Sequence, residues 1–164
     1  MINSGKVIEA MIDYYGTDIK RINHFLKVFS FAKTIGEAEN LDEKSLNMLE
    51  ITAIVHDIGI KVSEQKYNSS AGKYQELEGP QQAQILLKNL GADQQLIDDV
   101  CYIVAHHHTY SNIDTVEYQI LVEADFLVNL FEDGVSEKAV SVANDKIFRT
   151  KTGKKLLKKM YLKI

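Results

Sequence analysis

The chain has 164 residues, of which 45% are hydrophobic and 26% charged, a composition typical of one soluble globular domain rather than a disordered segment. Its formal net charge of -4 gives no overall basic surface, so we expect no DNA or RNA polymer as a partner. The first residues do not resemble a signal peptide, and no apolar run approaches the roughly 18 residues of a membrane span. Cys101 is the single cysteine, which excludes an internal disulfide. We therefore expect a cytoplasmic protein without a membrane partner.

The pattern along the chain predicts an all-α fold. Pro80 is the one proline, and short alternating strands at regular spacing are absent from the sequence. No internal repeat, low-complexity tract or linker divides the chain, so we predict a single-domain helical bundle over residues 1–164. Apolar residues at helical spacing and candidate capping residues predict eight helices. In chain order they cover about 4–15, 18–40, 42–59, 79–91, 93–108, 115–131, 136–148 and 152–162.

Residues 61–78, KVSEQKYNSSAGKYQELE, are polar and rich in turn-forming residues. We predict that they form the longest irregular segment, and such loops often cover binding sites. Gly79 and Pro80 are then predicted to begin the fourth helix, because a proline in the first turn lacks only an N–H that would have no partner there. Three tyrosines flank the expected cleft and could stack on a base, although ordinary loop aromatics are at least as common. They are Tyr67, Tyr74 and Tyr110.

Several titratable side chains occur within apolar helices or at their ends, where they need partners. They are His24 in the second helix, His56 and Asp57 at the end of the third, His106, His107 and His108 at the end of the fifth, and Asp125 within the sixth. A divalent cation would provide a common partner, because it neutralises carboxylates and takes imidazole nitrogens as ligands. Such a mixed site suits Mn, Fe, Co, Ni or Zn better than Ca, and open positions at the ion support metal-assisted hydrolysis.

Each of these residues also has an ordinary explanation. A lone histidine such as His24 is more often a partly buried side chain than a ligand, and adjacent histidine and aspartate occur by chance in many chains. Three histidines at a helix C-terminus could simply interact with the helix dipole. Asp125 could be part of a salt bridge. All of these ordinary explanations must hold together if the chain has no metal site.

The order His … His-Asp … His-His … Asp resembles the HD-domain superfamily of metal-dependent phosphohydrolases. The resemblance runs from about Arg21 to Leu130 and covers five segments in the family's order. They are RINHFLKVFSFAKTI, ITAIVHDIG, EGPQQAQILLKNLG, VCYIVAHHHT and VEYQILVEADFLVNL. The resemblance implies an all-α bundle with one divalent ion (Mn, Ni, Co, Fe, Zn or Mg) as cofactor. The metal ligands that it implies are His24, His56, Asp57 and Asp125.

The resemblance also implies water attack on a phosphate ester or anhydride of a small molecule, with a nucleotide as the first candidate. We expect His106 and His107 to act on the phosphoryl or leaving group, with His107 and His108 as the other possible register. Asp57 or Glu78 could take a proton from the attacking water. A solvated role is the better alternative for Glu78, since acidic residues are common in a first helical turn.

Arg21 and Lys61 could bind the phosphate, because a phosphoryl-transfer site needs cations. For both residues a merely solvated role is an equal alternative.

Two other classes of function stay open. The chain could be a non-catalytic metal- or nucleotide-binding HD module, which would bind the same ligands without turnover. It could also activate oxygen at a di-iron centre, but subfamilies with dinuclear centres usually add a separate histidine near the position of Glu78. Because no histidine lies between Asp57 and Ala105, we predict a mononuclear site. A homodimer is possible, and the sequence does not decide it.

Overall fold

A computed structural model describes residues 1–162 and, within that range, contains nine α-helices and no strand. The helices are α1 (Ser4–Tyr15), α2 (Ile19–Ala38), α3 (Glu43–Val55), α4 (Gly59–Tyr67), α5 (Gly72–Asn89), α6 (Gln94–Val104), α7 (Val116–Glu132), α8 (Glu137–Lys146) and α9 (Lys151–Tyr161). The prediction of an all-α bundle is confirmed. No helix among these residues is both long enough and apolar enough to cross a membrane.

Most helices are preceded by a residue whose side chain accepts a hydrogen bond from a backbone N–H of the first turn. That N–H has no carbonyl partner within the helix, so the capping side chain satisfies it. These capping residues are Asn3, Asp18, Asp42, Asp93, Thr115, Ser136 and Thr150. The exceptions are α4 and α5, which follow Ile58 and Ala71 and have no side-chain cap. The sequence signal for a helix start is therefore absent at these two helices alone.

The prediction of an irregular segment over residues 61–78 is wrong. Most of that segment belongs to α4 and to the first turns of α5, and only four residues separate the two helices. Besides lacking caps, α5 carries the polar side chains of Gln75 and Glu78 at buried positions, so its inner face does not show an apolar repeat. Asn68, in the left-handed conformation with φ of 50°, ends α4.

The prediction that Pro80 begins a helix is also wrong, because Pro80 lies inside α5. Proline has no N–H, so the carbonyl of Glu76 loses its partner within the helix, which is normally unfavourable. Tertiary packing overrides this preference, since α5 packs between α4 and α6. The contact with α4 is very close: a Cβ on Gly59 would lie 2.7 Å from the carbonyl oxygen of Gln75.

The apolar core consists of two groups of buried side chains. One joins α2, α3, α6 and α7 to α8 and α9, and includes Val28, Leu49, Leu121 and Phe148. The other joins α1, α2, α3, α5 and α6, and includes Met11, Phe25, Ile54 and Leu87. Because α2, α3 and α6 contribute to both groups, these helices form the centre of the molecule. His24, His56 and Asp57 lie on or directly after two of them.

Candidate metal centre

The turn that follows α3 carries His56 and Asp57. A helix C-terminus has carbonyl groups without a partner, and the Nδ1–H of His56 donates to one of them, the carbonyl of Ala53, at 2.9 Å. Since a carbonyl can only accept, the Nε2 of the neutral ring has no proton and faces the site. Two tyrosines of α1 hold the turn: Tyr15 donates to the carbonyl of Asp57 at 2.7 Å, and Tyr14 to that of Ile58 at 3.0 Å.

The end of α6 repeats this arrangement with the triple histidine. His107 donates from Nδ1 to the carbonyl of Val104 at 2.8 Å, and its ring is buried. The ring of His106 turns away and donates to the carbonyl of Tyr102 at 2.7 Å. His107 and His108, rather than His106, therefore lie at the site, which is the second of the two registers considered from the sequence. The expectation that His106 acts on the substrate is corrected by this orientation.

Two side chains hold the turn of the triple histidine in place. The carboxylate of Glu76 accepts from the backbone N–H of His108 and from the hydroxyl of Thr109, both at 3.0 Å. The hydroxyl of Tyr118 contacts the carbonyl oxygens of His106 and Thr109. The turn is thus fixed from α5 and from α7.

The structure brings the four predicted ligands together. The Nε2 of His24 lies 3.3 Å from Oδ2 of Asp57 and 3.2 Å from Oδ1 of Asp125, and the Nε2 of His56 lies 3.4 and 3.6 Å from the same two atoms. The Nε2 of His107 lies 3.5 Å from Oδ1 of Asp57. These separations exceed the 2.7–2.9 Å that is typical of charge-assisted hydrogen bonds. Three ring nitrogens therefore surround two carboxylates without bonding to them directly.

The buried histidines and aspartates shift each other's titration. Burial disfavours a charged ring at His24 and His56, but the carboxylates of Asp57 and Asp125 outweigh burial and raise the pKa of both, that of His56 strongly. Burial likewise disfavours the two carboxylates, but the facing histidines hold the pKa of both well below its usual value. At His108, burial and the neighbouring His107 lower the pKa to about 4, so this ring is neutral near pH 7.

These residues fit a divalent cation. The Nε2 atoms of His24, His56, His107 and His108 are buried and have no hydrogen-bond partner, which is costly unless something else satisfies them. Ligand atoms lie within 4.8 Å of one another in two groups that share Asp57: one with His24 and His56, the other with His107 and His108. The mononuclear prediction rested on a missing separate histidine. The second group places further potential ligand atoms beside the first.

A cleft of about 530 Å³ opens next to these ligands. Besides His24, Asp57, His108 and Asp125, it is lined by Asp18, Lys20, Arg21, Ile60, Ser70, Gln75, Asn129, Glu132 and Asp133. Sequence reasoning did not identify Lys20, Gln75, Asn129 or Glu132. A signal existed for two of them, because Asn129 and Glu132 follow Asp125 by four and seven residues and so lie on the same helix face. Asn129 donates to Asp125 Oδ1 at 2.8 Å.

Arg21, predicted to bind the substrate, lies at the cleft. Its guanidinium already pairs with Asp18 at 2.8 Å and with Glu64 at 2.6 Å. Lys61 does not line the cleft, because its ammonium group donates to the carbonyl of Tyr14 at 2.7 Å. Its predicted contact with phosphate is corrected accordingly.

Glu78 is also outside the cleft, although it was predicted to take a proton from water. Its carboxylate accepts from Lys66 at 2.6 Å and from the hydroxyl of Tyr67 at 2.7 Å. The ring of Tyr67 stacks on that of Tyr74, with 4.2 Å between centroids, and Tyr110 packs edge-on against Phe126. These tyrosines contact other side chains of the chain and do not line the cleft.

Comparison with known proteins agrees with this geometry. The family model of the HD domain matches residues 21–130. The chain belongs to the HD domain family. The resemblance noted in the sequence is therefore confirmed, and the match includes all four predicted ligands but begins after α1.

Among solved structures, a predicted HD superfamily hydrolase from an uncultured Thermotogales bacterium is similar to this HD protein, with a TM-score of 0.68 and 22% identity. The similarity covers 94% of this chain and 83% of that chain. At this identity it shows a shared fold. No curated protein matches the chain in sequence.

Proposed function

We propose that this HD protein is a metal-dependent phosphohydrolase of the cytoplasm that cleaves a phosphate ester or anhydride of a small molecule, with nucleotides as the first candidates. One observation carries the proposal: the buried, unpartnered Nε2 atoms of His24, His56 and His107 face the carboxylates of Asp57 and Asp125 at an open cleft. Such a donor set supports metal-assisted hydrolysis.

The residues at the site would have different roles in this reaction. His24, His56, Asp57 and Asp125 would hold the ion. When bound, a divalent cation supplies a water of lowered pKa and offsets charge on a phosphoryl oxygen. His108, neutral near pH 7, lies beside Asp57 and can accept a proton or a hydrogen bond at the cleft.

The charges at the cleft support metal dependence. Carboxylates outnumber ammonium and guanidinium groups among the lining residues, and the guanidinium of Arg21 is already paired. An anionic substrate would therefore be repelled from the metal-free cleft. Lys20 is exposed at the rim, and its ammonium group can contact a phosphate that extends from the ligands.

The test is hydrolysis of a panel of mono-, tri- and cyclic nucleotides, dinucleoside polyphosphates and alarmones, in which nucleotide products are separated by chromatography and any released phosphate or pyrophosphate is assayed. Each substrate is assayed with Mn, Ni, Co, Mg or Zn, and the bound metal is counted per chain. We expect metal-dependent turnover that Asp57→Ala lowers by at least ~100-fold, because this carboxylate is shared by both ligand groups. His106→Ala is the matched control, since its ring points away from the site, and it should retain activity.

Other outcomes have distinct meanings. Bound metal without turnover on any substrate would favour the non-catalytic binding module. Two metal ions per chain would show that His107 and His108 act as ligands rather than on the substrate. Neither turnover nor bound metal would contradict the proposal.

A further inference from the structure

His24 differs from the other inward-facing histidines in what holds its ring. His56 and His107 follow helix ends, where free backbone carbonyls accept their Nδ1–H groups. His24 lies in the interior of α2, where the carbonyls are used within the helix. Its Nδ1 instead meets a side chain of another helix, because Oε2 of Glu132 lies 2.9 Å from it.

Glu132 lies at a position that is unfavourable for a carboxylate. It is the last residue of α7, at the negative end of the helix dipole, where a further negative charge is unfavourable. Its side chain is only 17% exposed. Each carboxylate oxygen has its own partner, because Oε2 contacts His24 while Oε1 accepts from Lys27 at 2.6 Å. The contact with His24 and the contact with Lys27 thus use different oxygens of the carboxylate.

The same face of α7 acts on two ligands. Asp125 is a ligand itself, Asn129 one turn later orients it, and Glu132 a further turn on contacts His24. This face therefore joins the ligand of α7 to the ligand of α2.

We propose that Glu132 is a positioning residue of the metal centre. By accepting the proton of Nδ1, it holds His24 in the tautomer whose Nε2 lone pair points at Asp57 and Asp125, and it sets the ring's orientation. Carboxylates that bind the outer nitrogen of a ligating histidine in this way raise the affinity for the metal. The inference rests on the proposed metal site. The competing explanation is that Glu132 and Lys27 form only an ion pair between α2 and α7.

Metal affinity separates the two explanations. Titration calorimetry with Ni or Co should show that Glu132→Ala binds roughly 10- to 100-fold more weakly than wild type. Glu132→Gln keeps a carbonyl oxygen for the Nδ1 proton and should recover much of the loss. Lys27→Met, which removes the ion pair but leaves the contact with His24, should bind close to wild type. Asp133→Ala controls for the loss of any negative charge at the cleft and should also stay close to wild type.

A second measurement does not depend on metal. Nitrogen chemical shifts of the imidazoles in the metal-free protein, recorded at a pH where the rings are neutral, should show His24 protonated at Nδ1. In Glu132→Ala, His24 should become a mixture of tautomers while His56 stays unchanged, because its partner is a backbone carbonyl.

The inference is overturned if Glu132→Ala binds metal like wild type, or if Lys27→Met or Asp133→Ala loses as much affinity. Wild-type protein that binds no metal would contradict the proposed function instead. In that case the tautomer of His24 in wild type and in Glu132→Ala still decides whether Glu132 positions the ring.

Discussion

At the scale of single residues, the site places imidazoles next to carboxylates, and each kind of group shifts the pKa of the other. The raised pKa of His24 and His56 and the lowered pKa of Asp57 and Asp125 have one origin, which is the short distance between the two kinds of group in a buried place. Protons on the rings stabilise the metal-free protein, and a bound cation would replace them. Metal binding and protonation therefore compete for the same nitrogens.

We expect the metal-free protein to lose stability as the pH rises from neutral. Because the folded-state pKa values of His24 and His56 exceed 6.5, their contribution is fully present below pH 6.5 and is lost as the pH rises through those values. Asp57 and Asp125 have a lowered pKa, so their contribution to the free energy of unfolding is fully present above pH 3.8. It is lost only in stronger acid, where these carboxylates become protonated. Urea unfolding after treatment with a chelator, from about pH 6 to about pH 9, measures this. A free energy of unfolding that rises over this range would contradict it.

The sequence predicts which residue types meet at the site better than it predicts their directions. His24, His56, Asp57 and Asp125 are recognisable as one set through the resemblance to the HD family, because the apolar pattern alone leaves an ordinary explanation for each of them. Consecutive residues near a helix end point about 100° apart, so the apolar pattern alone could not say which two histidines of the triple run face inward. Lys61 and Glu78 are near the motif in sequence, but their side chains bind Tyr14, Lys66 and Tyr67 instead.

At the scale of elements, two helix ends present ligands and two adjacent helices cross closely. α3 and α6 are each followed by a histidine whose Nδ1–H donates to a carbonyl of the last turn of that helix. Directly after the first of these ends, α4 crosses α5 at Gly59 and Gly79 with almost no space between the backbones. Sequence reasoning missed α4 and the first turns of α5 because neither helix has a side-chain cap at its start and because the contact depends on glycine rather than on apolar side chains.

Gly59→Ala should destabilise the protein by about 1–3 kcal/mol, because the new Cβ would overlap backbone atoms that cannot move away cheaply. That Cβ would lie 2.7 Å from the carbonyl oxygen of Gln75 and 2.9 Å from the nitrogen of Gly79. Gly36→Ala is the matched control, since its Cβ would meet the flexible ends of leucine side chains, those of Leu41, Leu46 and Leu49, rather than backbone. Urea unfolding of both variants gives the comparison, and equal losses would show that the close crossing is not responsible.

At the scale of the whole molecule, the predicted ligands come from helices that are distant in sequence. His24 comes from α2, His56 and Asp57 from the turn after α3, and Asp125 from α7. These helices are also those that pack against one another at the centre, where α2 contacts both α3 and α7. A cation at this point would link the helices that hold the two apolar groups together.

Metal should therefore stabilise the folded chain. At a free metal concentration of 100 times Kd, the gain in free energy of unfolding is about 2.7 kcal/mol by mass action, which raises the Tm of a chain of this size by roughly 5–10 °C. Differential scanning calorimetry with and without a chelator measures the shift. Asp125→Asn should reduce it, and a Tm that does not depend on the chelator in wild type would contradict the prediction.

The contact of α1 with the turn after α3 affects which part of the chain is needed to support the candidate site. The segment by which the HD family is recognised begins at residue 21, yet the hydroxyls of Tyr14 and Tyr15, both before that boundary, hold the backbone at Asp57 and Ile58. A fragment cut at the recognition boundary would keep every ligand but lose the support of the turn that presents two of them. The unit that supports the candidate metal centre is thus longer than the unit that identifies the family.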